Sequence, residues 1–518
     1  MNGAHALLAT MRANNITACF ANPGTSEMHF VAGLDDVPEI RGILCLFEGV
    51  ATGAADGYAR VTGTPAATLL HLGPGLANGW ANLHNARRAR VPLLNIVGDH
   101  ATYHAKYDAP LQSDILSIAK TLKGWQRRTL SPNDVANDVA DAIGAAYGPP
   151  GRIATLVLPS DTSWGEITDV PSSWPVATRE PEASAGGEGI ERALELLRTK
   201  RAALFVGGTA VSAAQLGLAQ RVARASGSRV ITETFPAITD RGAGIASPER
   251  LIYLSEFAID QLGDLEALVL IGAGEPVGFF AYPDVPSRLV PEHCAVLDLA
   301  PPGTDTGAVL QALVDALGAP ALSVESGEPP ALPAGALTSQ SLAAAVGATL
   351  PEGLIVADES NTAGVHLFGA TRFSPPHRWM TLTGGSIGCG LPLALGAAVG
   401  SGRRVLALEA DGSMMYTPQA LWTMAREGLD VTVVALSNRS YAILNLERQR
   451  VGATGIGSAS QRMLDLDDPA IDLAGVARAQ GVPSTRVTTA DELVAALLHS
   501  YATSGPMLIE AVLPKGLG

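Results

Sequence analysis

Two short polar runs in the last third of the chain carry residue types that bind a hard cation: Asp411-Gly412-Ser413 and Asn438-Arg439-Ser440. A carboxylate at Asp411, an amide oxygen at Asn438 and the backbone carbonyl of Ser440 supply three oxygens. Two oxygens of a bound diphosphate and one water would complete the six-coordinate shell that magnesium demands. Gly412 and Ser413 add backbone N–H groups and a hydroxyl for the same phosphates. Taken singly, each run is an ordinary turn at a strand end. Their pairing is informative because of what lies between them. Val405–Leu408 and Val431–Val434 read as buried strands, and one helix joins them, with Thr417 as N-cap, Pro418 first, Leu421, Met424 and Ala425 along its apolar stripe and Gly428 at its end. A right-handed strand–helix–strand crossover sets the two polar runs side by side on one sheet edge.

The first third repeats the arrangement. Strands Ile16–Phe20, Ile43–Phe47, Ala66–Leu72 and Pro92–Val97 alternate with helices Val50–Arg60 and Leu76–Arg90, a doubly wound α/β pattern that the last of these strands closes. Glu48 sits at the end of an apolar strand and faces an Ala/Gly-rich helix. Such a carboxylate loses solvation and its pKa rises unless something pairs it; capping the N–H groups of that helix is the alternative role. His71 lies in the strand run ATLLHL before Gly73-Pro74-Gly75, as a hydrogen-bonded edge residue or as a proton carrier near neutrality. Thr25 stands in the turn Asn22-Pro23-Gly24-Thr25 and Gln112 in the loop Asp108–Ile115; His100, His104 and Lys106 of the same loop read as solvated.

At 518 residues the chain exceeds one ordinary core and predicts about three domains. A net charge of −15 argues against nucleic acid and anionic membranes as partners. With no basic leader and no run of about 18 apolar residues, a cytoplasmic protein is expected. Four scattered cysteines without metal-site spacing predict buried free thiols. Linkers rich in Pro, Ser, Ala and Gly, Ile167–Gly189 and Gly318–Ala336, divide the chain into 1–166, 190–318 and 336–518. The middle segment alternates helices and strands, but Gly207-Gly208 and Gly272-Ala273-Gly274 lack the dinucleotide spacing, which favours a structural role. In the last segment, strand Gly353–Ala357 runs into Asn361 and Thr362, which suit a diphosphate or a helix cap equally. Thr383–Pro392 flanks Ile387 with glycines, and Tyr441–Arg450 reads as an amphipathic helix or lid.

Ala410-Asp411-Gly412-Ser413 and Ser437-Asn438 resemble the Gly-Asp-Gly-Ser … Asn-Asn signature of thiamine-diphosphate (ThDP) enzymes, in the branch of acetohydroxyacid synthase, pyruvate decarboxylase and benzoylformate decarboxylase. Ala410 and Ser437 depart from it at positions that are not presumed ligands. LFEGVATGAADGYAR (46–60) resembles the family segment whose Glu contacts the aminopyrimidine ring. The resemblance implies three doubly wound α/β domains with parallel sheets: pyrimidine-binding, Rossmann-like middle and diphosphate-binding. It implies ThDP and Mg2+ as cofactors, with FAD not expected, and a homodimer or homotetramer with active sites at the subunit interface. Glu48 would exchange a proton with ring N1′, so that the 4′-amino group removes the proton from thiazolium C2. Asn361, Thr362, Gly385, Gly412, Ser413 and Tyr441 would contact the cofactor, Ile387 would hold it bent, and Asp411, Asn438 and Ser440 would ligate the metal. His71 and Thr25 match benzoylformate decarboxylase and Gln112 the synthase branch, while Phe279, Phe280 and Ala281 stand where the decarboxylase carries a second His. The implied activity is decarboxylation of a 2-oxo acid with release of an aldehyde or carboligation to a carbonyl acceptor. The alternatives are a non-decarboxylating carbon–carbon lyase, or a ThDP-binding protein without turnover acting in assembly or regulation.

Overall fold

The computed structural model describes residues 1–453, 455 and 457–516. They form three parallel-dominated sheets of six, five and seven strands with helices packed on them. The first sheet runs in the spatial order 41–44, 18–22, 66–70, 93–99, 153–159, 125–128, all parallel. Its inner strands Ala66–Leu70 and Leu93–Asp99 are buried at every position, as expected when helices cover both faces. The sheet therefore does not close at the strand 93–99; two later strands extend it.

The second sheet, in the middle of the chain, orders its strands 249–250, 229–232, 202–206, 267–271, 295–300. The third orders them 484–487, 507–512, 431–437, 405–410, 355–359, 377–381, 238–241. Its last member, Ile238–Arg241, comes from the middle of the chain and is antiparallel to His377–Thr381, with Arg241 opposite His377. This strand stitches the middle segment to the C-terminal sheet.

Strand order fixes where ligands fit. In the first sheet the chain leaves strand 18–22 to one side and returns with 66–70 on the other; in the third it does so at strands 355–359 and 405–410. These reversals open a crevice beyond the carboxyl ends of the strands, the standard ligand position in such sheets. Two helices join the outer thirds of the chain back to back. Gly57 and Gly396 permit this approach: a Cβ on Gly57 would stand 2.2 Å from the Leu393 carbonyl oxygen, and one on Gly396 1.7 Å from that of Ala54. Beside them Arg60 pairs with Asp56 at 2.7 Å in a wholly buried bridge and donates to the carbonyls of Ala237 and Thr381. All four cysteines are free and buried. No helix among the described residues is long and apolar enough to cross a membrane.

Candidate active site

The helix expected at Val50–Arg60 begins at Glu48 itself and runs to Thr62, while the strand before it ends at Leu44. Glu48 is thus a first-turn helix residue, and the anionic side chain suits the helix N-terminus. Its Oε2 accepts a 3.0 Å hydrogen bond from Asn78 Nδ2, and a Cβ on Gly75 would lie 3.1 Å from Oε1. The carboxylate is held against the first turns of the next helix, Leu72–Ala89.

His71 precedes that helix at the reversal of the first sheet. Its Nδ1 donates to Glu27 Oε2 at 2.9 Å, and the same oxygen accepts the Gly24 N–H at 2.7 Å. Glu27 is 2 % exposed; burial pushes its carboxyl up, opposed by His71 and the Gly24 N–H. The Glu27–His71 contact fixes the imidazole and leaves Nε2 for a ligand. A cavity of about 320 Å3 opens beside it, lined by Thr25, Ser26, His71, Leu72, His100, Leu111, Ser160 and Trp164. Thr25 and His71 therefore meet in one cavity. Gln112 is not among its lining residues; its neighbour Leu111 is, and Gln112 Nε2 reaches only the Ser113 carbonyl at 3.4 Å.

The third sheet holds the second cluster at its own reversal. Asp411 opens a short helix, Asp411–Met414, directly after its strand. Asp411 Oδ1 accepts the Gly412 N–H at 2.8 Å and Oδ2 the Arg439 N–H at 2.6 Å, while burial pushes its carboxyl up. Asn438 Oδ1 accepts the Ser440 N–H at 3.2 Å. Across the crevice Asn361 Nδ2 donates to Ser413 Oγ at 3.0 Å. Tyr441 lies over Gly412, where a Cβ would come within 2.4 Å of its ring. One carboxylate, one amide and hydroxyl and backbone oxygens form a hard-oxygen donor set that fits magnesium with diphosphate oxygens. Among the described residues no group of three or more His, Cys, Asp or Glu offers a different metal centre. The helix expected to start at Thr417-Pro418 starts at Gln419 without a side-chain cap, and the Thr417 hydroxyl donates to the Gly388 carbonyl at 2.9 Å.

Left-handed backbone marks three of these turns. Leu72, Asn361 and Arg439 have φ of 52°, 50° and 56°. Such conformations cost non-glycine residues roughly 1–2 kcal/mol each and collect at functional sites.

Ile387 lies in a segment gripped from two sides. Asn85 pairs with Ser386 through both backbone groups, Nδ2 to O at 2.7 Å and N to Oδ1 at 3.2 Å, and Asn82 donates to the Gly388 carbonyl at 3.3 Å. From below, Glu359 accepts the N–H groups of Gly388 and Gly390, both at 2.6 Å. Burial pushes Glu359 up to about 7, and burial beside Glu359 also pushes its register neighbour Glu409 well up. Phe279 covers Gly385, where a Cβ would come within 2.5 Å of its ring. Ile387 itself is partly buried against the main core. Thr362 follows Asn361 in the same turn.

The sequence reading missed Glu27, Asn78, Asn82, Asn85 and Glu359. Polar Asn78, Asn82 and Asn85 recur at helical spacing on an otherwise small-residue helix, and that signal was available. A second cavity, about 550 Å3, borders the carboxyl edge of the middle sheet between Arg90, Thr209, Gly272 and Thr306, and Arg90 donates across it to the Gly272 carbonyl at 3.0 Å. Among the described residues no hydrogen bond joins the Glu48–His71 cluster to the Asp411–Asn438 cluster within the chain.

Residues 1–121 match the family described as the thiamine pyrophosphate enzyme N-terminal TPP binding domain, and residues 362–511 match the C-terminal TPP binding domain. A Mycobacterium tuberculosis protein with the provisional name acetolactate synthase large subunit IlvX is 51 % identical over the full length of both chains. Benzoylformate decarboxylase of Pseudomonas aeruginosa is 28 % identical over 96 % of each chain. The fold is similar to that of the Rhodococcus jostii thiamine diphosphate-dependent 4-hydroxybenzoylformate decarboxylase, with a TM-score of 0.85 at 24 % identity, covering both chains completely.

Proposed function

The chain belongs to the thiamine pyrophosphate enzyme family, and from that premise we propose that it is a ThDP- and magnesium-dependent enzyme that decarboxylates a 2-oxo acid, then releases an aldehyde or joins the acyl unit to a carbonyl acceptor. The observation that carries this reading is the pair of clusters, each at a sheet reversal. One offers a buried carboxylate and an imidazole, the other a hard-oxygen cradle.

When bound, ThDP supplies the nucleophilic carbon and the electron sink for loss of carbon dioxide. The chain supplies position and proton control. Asp411, Asn438 and Ser440 hold the metal, and Asn361, Thr362, Gly412, Ser413 and Tyr441 receive the diphosphate. Glu48, oriented by Asn78, holds and returns a proton through its carboxyl group. Gly385 and Ile387 set the cofactor's shape, and Asn82, Asn85 and Glu359 fix the segment that carries them. His71 and Thr25 receive the substrate; Gln112 lies one residue from a cavity-lining position.

The reading takes each site to be completed by a second copy, as a homodimer or homotetramer. Leu46 near Glu48 is 45 % exposed and Tyr416 near Asp411 is 54 % exposed, apolar surface suited to such a contact. The segments 1–166, 190–318 and 336–518 serve as pyrimidine-binding, middle and diphosphate-binding domains. The reading assigns the enzyme to the cytoplasm, with no flavin.

The test is carbon dioxide release from a panel of 2-oxo acids, pyruvate to benzoylformate, with magnesium and ThDP added or withheld, and aldehyde and acyloin quantified. Release that needs both cofactors is expected. No release from any donor despite tight ThDP binding would overturn the reading in favour of a non-decarboxylating lyase or a silent binder.

A further inference from the structure

After strand Met507–Val512 the chain crosses the turn that carries two of the proposed metal ligands, Asn438 and Ser440. The Gly516 carbonyl accepts from Asn438 Nδ2 at 3.0 Å, and the Leu513 carbonyl accepts from the Arg439 guanidinium at 2.9 Å. Arg439 in turn gives its backbone N–H to Asp411, so the same segment reaches the third ligand through one residue. Lys515 fastens the segment from the other side. Its Nζ lies 3.1 Å from Asp465 and 2.8 Å from Asp467, and Asp465 pairs with Ser440 as an antiparallel bridge.

The contact with Asn438 matters because an amide has two unlike ends. A hard cation takes the oxygen and is repelled by the NH2 group. At Asn438 the Ser440 N–H donates to Oδ1 at 3.2 Å, and the Gly516 carbonyl receives Nδ2. Turned over, the amide would set its NH2 against the Ser440 N–H and its oxygen against the Gly516 carbonyl, like groups facing each other at both ends. Asn438 is 5 % exposed, so water is poorly placed to relieve either conflict.

We propose that Leu513–Gly516 is a positioning strap for the metal site: the Gly516 carbonyl holds the Asn438 amide with its oxygen turned to the cation, and Lys515 holds the strap down. The proposal rests on the magnesium and diphosphate reading above. Oδ1 of Asn438 has two lone pairs, one engaged by the Ser440 N–H and one left for a metal. Without the strap, only that 3.2 Å bond selects the ligating orientation. Gly516 has φ 96° and nothing within 4 Å of where a Cβ would stand, so the backbone turn that aims its carbonyl favours glycine, and crowding plays no part. The Lys515 side chain is 43 % exposed, and ion pairs at that exposure contribute little singly. Most of the strap's effect is therefore expected to run through the amide.

The experiment compares the full chain with a chain ended after Pro514, each with Asn438 kept and with Asn438→Asp. Calorimetry gives the magnesium concentration that half-saturates ThDP binding, and melting midpoints without magnesium check the fold. With Asn438 kept, loss of the strap is expected to raise that concentration about tenfold or more. An aspartate offers an oxygen in either orientation and is repelled by the Gly516 carbonyl. In the Asn438→Asp chain the same truncation should therefore leave the magnesium requirement unchanged or lower it. A strap that only stabilises the fold would cost both chains alike, so equal losses in the two backgrounds overturn the proposal. If the truncated chain does not fold, Lys515→Gln goes through the same comparison. Its expected effect with Asn438 kept is about two- to fivefold, restored by Lys515→Arg; an effect that is absent, or equal in both backgrounds, again overturns the proposal. Magnesium-independent ThDP binding by the wild type removes the metal assignment and the strap's role with it, whereas a magnesium requirement that ignores the truncation removes the strap alone.

Discussion

Gly24→Ala probes the His71 site with little else disturbed. Gly24 has φ −123° and ψ −163°, a backbone conformation open to any residue, so alanine adds no backbone strain. The three atoms nearest to an added Cβ all belong to the imidazole. A Cβ at position 24 would stand 2.3 Å from His71 Nδ1, 2.4 Å from Cγ and 2.5 Å from Cε1, whereas ordinary contact begins near 3.4 Å. The ring must therefore withdraw by about 1 Å, and a displacement of that size at a reacting group costs roughly 10²-fold in rate. The 2.9 Å bond to Glu27 breaks with it, leaving a buried carboxylate whose Oε1 already lacks a partner. Loss of one charge-assisted hydrogen bond costs about 1.5–3 kcal/mol, and partial exposure of His71 favours the low end. The expected result is a folded variant with a somewhat lower melting midpoint and about a hundredth of the wild-type kcat for carbon dioxide release. The control is His71→Ala: once the ring is gone, alanine 24 has room, so the double variant should match His71→Ala in both measurements. Wild-type kcat in Gly24→Ala, or a double variant far worse than His71→Ala, would refute the reasoning.

Three further outcomes are expected. Glu48→Gln keeps an oxygen for Asn78 but cannot carry a proton; turnover should fall by roughly 10²–10⁴-fold with ThDP affinity nearly unchanged, and undiminished turnover would remove Glu48 from proton transfer. Asp411→Ala should weaken magnesium-dependent ThDP binding, measured by calorimetry, by at least about 100-fold, and chelation should do the same to the wild type; equal affinity in the variant would move the metal elsewhere. Glu359 is raised from 4.5 to about 7, so the folded state holds more protons than the unfolded one between those values and stability falls as pH rises through that window. Glu359→Gln should reduce that slope by about 1.4 kcal/mol per pH unit in denaturant titrations at pH 5 to 7, and an unchanged slope would contradict the direction of the shift.

The strand–helix–strand unit from Val405 to Ser440 was legible because its constraints are local: apolar strands, small polar turns and a crossover of fixed hand. Features that depend on distant partners were not. Thr417 has the side chain of an N-cap, yet its hydroxyl goes to Gly388, a bond with no trace in the neighbouring sequence. Glu27 follows Asn-Pro-Gly-Thr-Ser as an ordinary acidic turn residue, and only the fold brings it to His71. Leu111 rather than Gln112 faces the cavity because the loop between residues 100 and 114 has no helical or strand period to set the direction of its side chains. Ile238–Arg241 has a short alternating pattern that suits any sheet edge, and nothing near it names His377–Thr381 as its partner.

That borrowed strand also sets an order of assembly. Strand 238–241 leaves the ribosome with the middle sheet, long before the strand 377–381 that it pairs with. Until then its backbone donors and acceptors form an open edge able to join another chain. Completion of the third sheet thus waits on a contact between residues far apart in sequence, the kind that slows folding and exposes intermediates to aggregation. A nascent chain stalled before residue 377 is expected to aggregate through this edge.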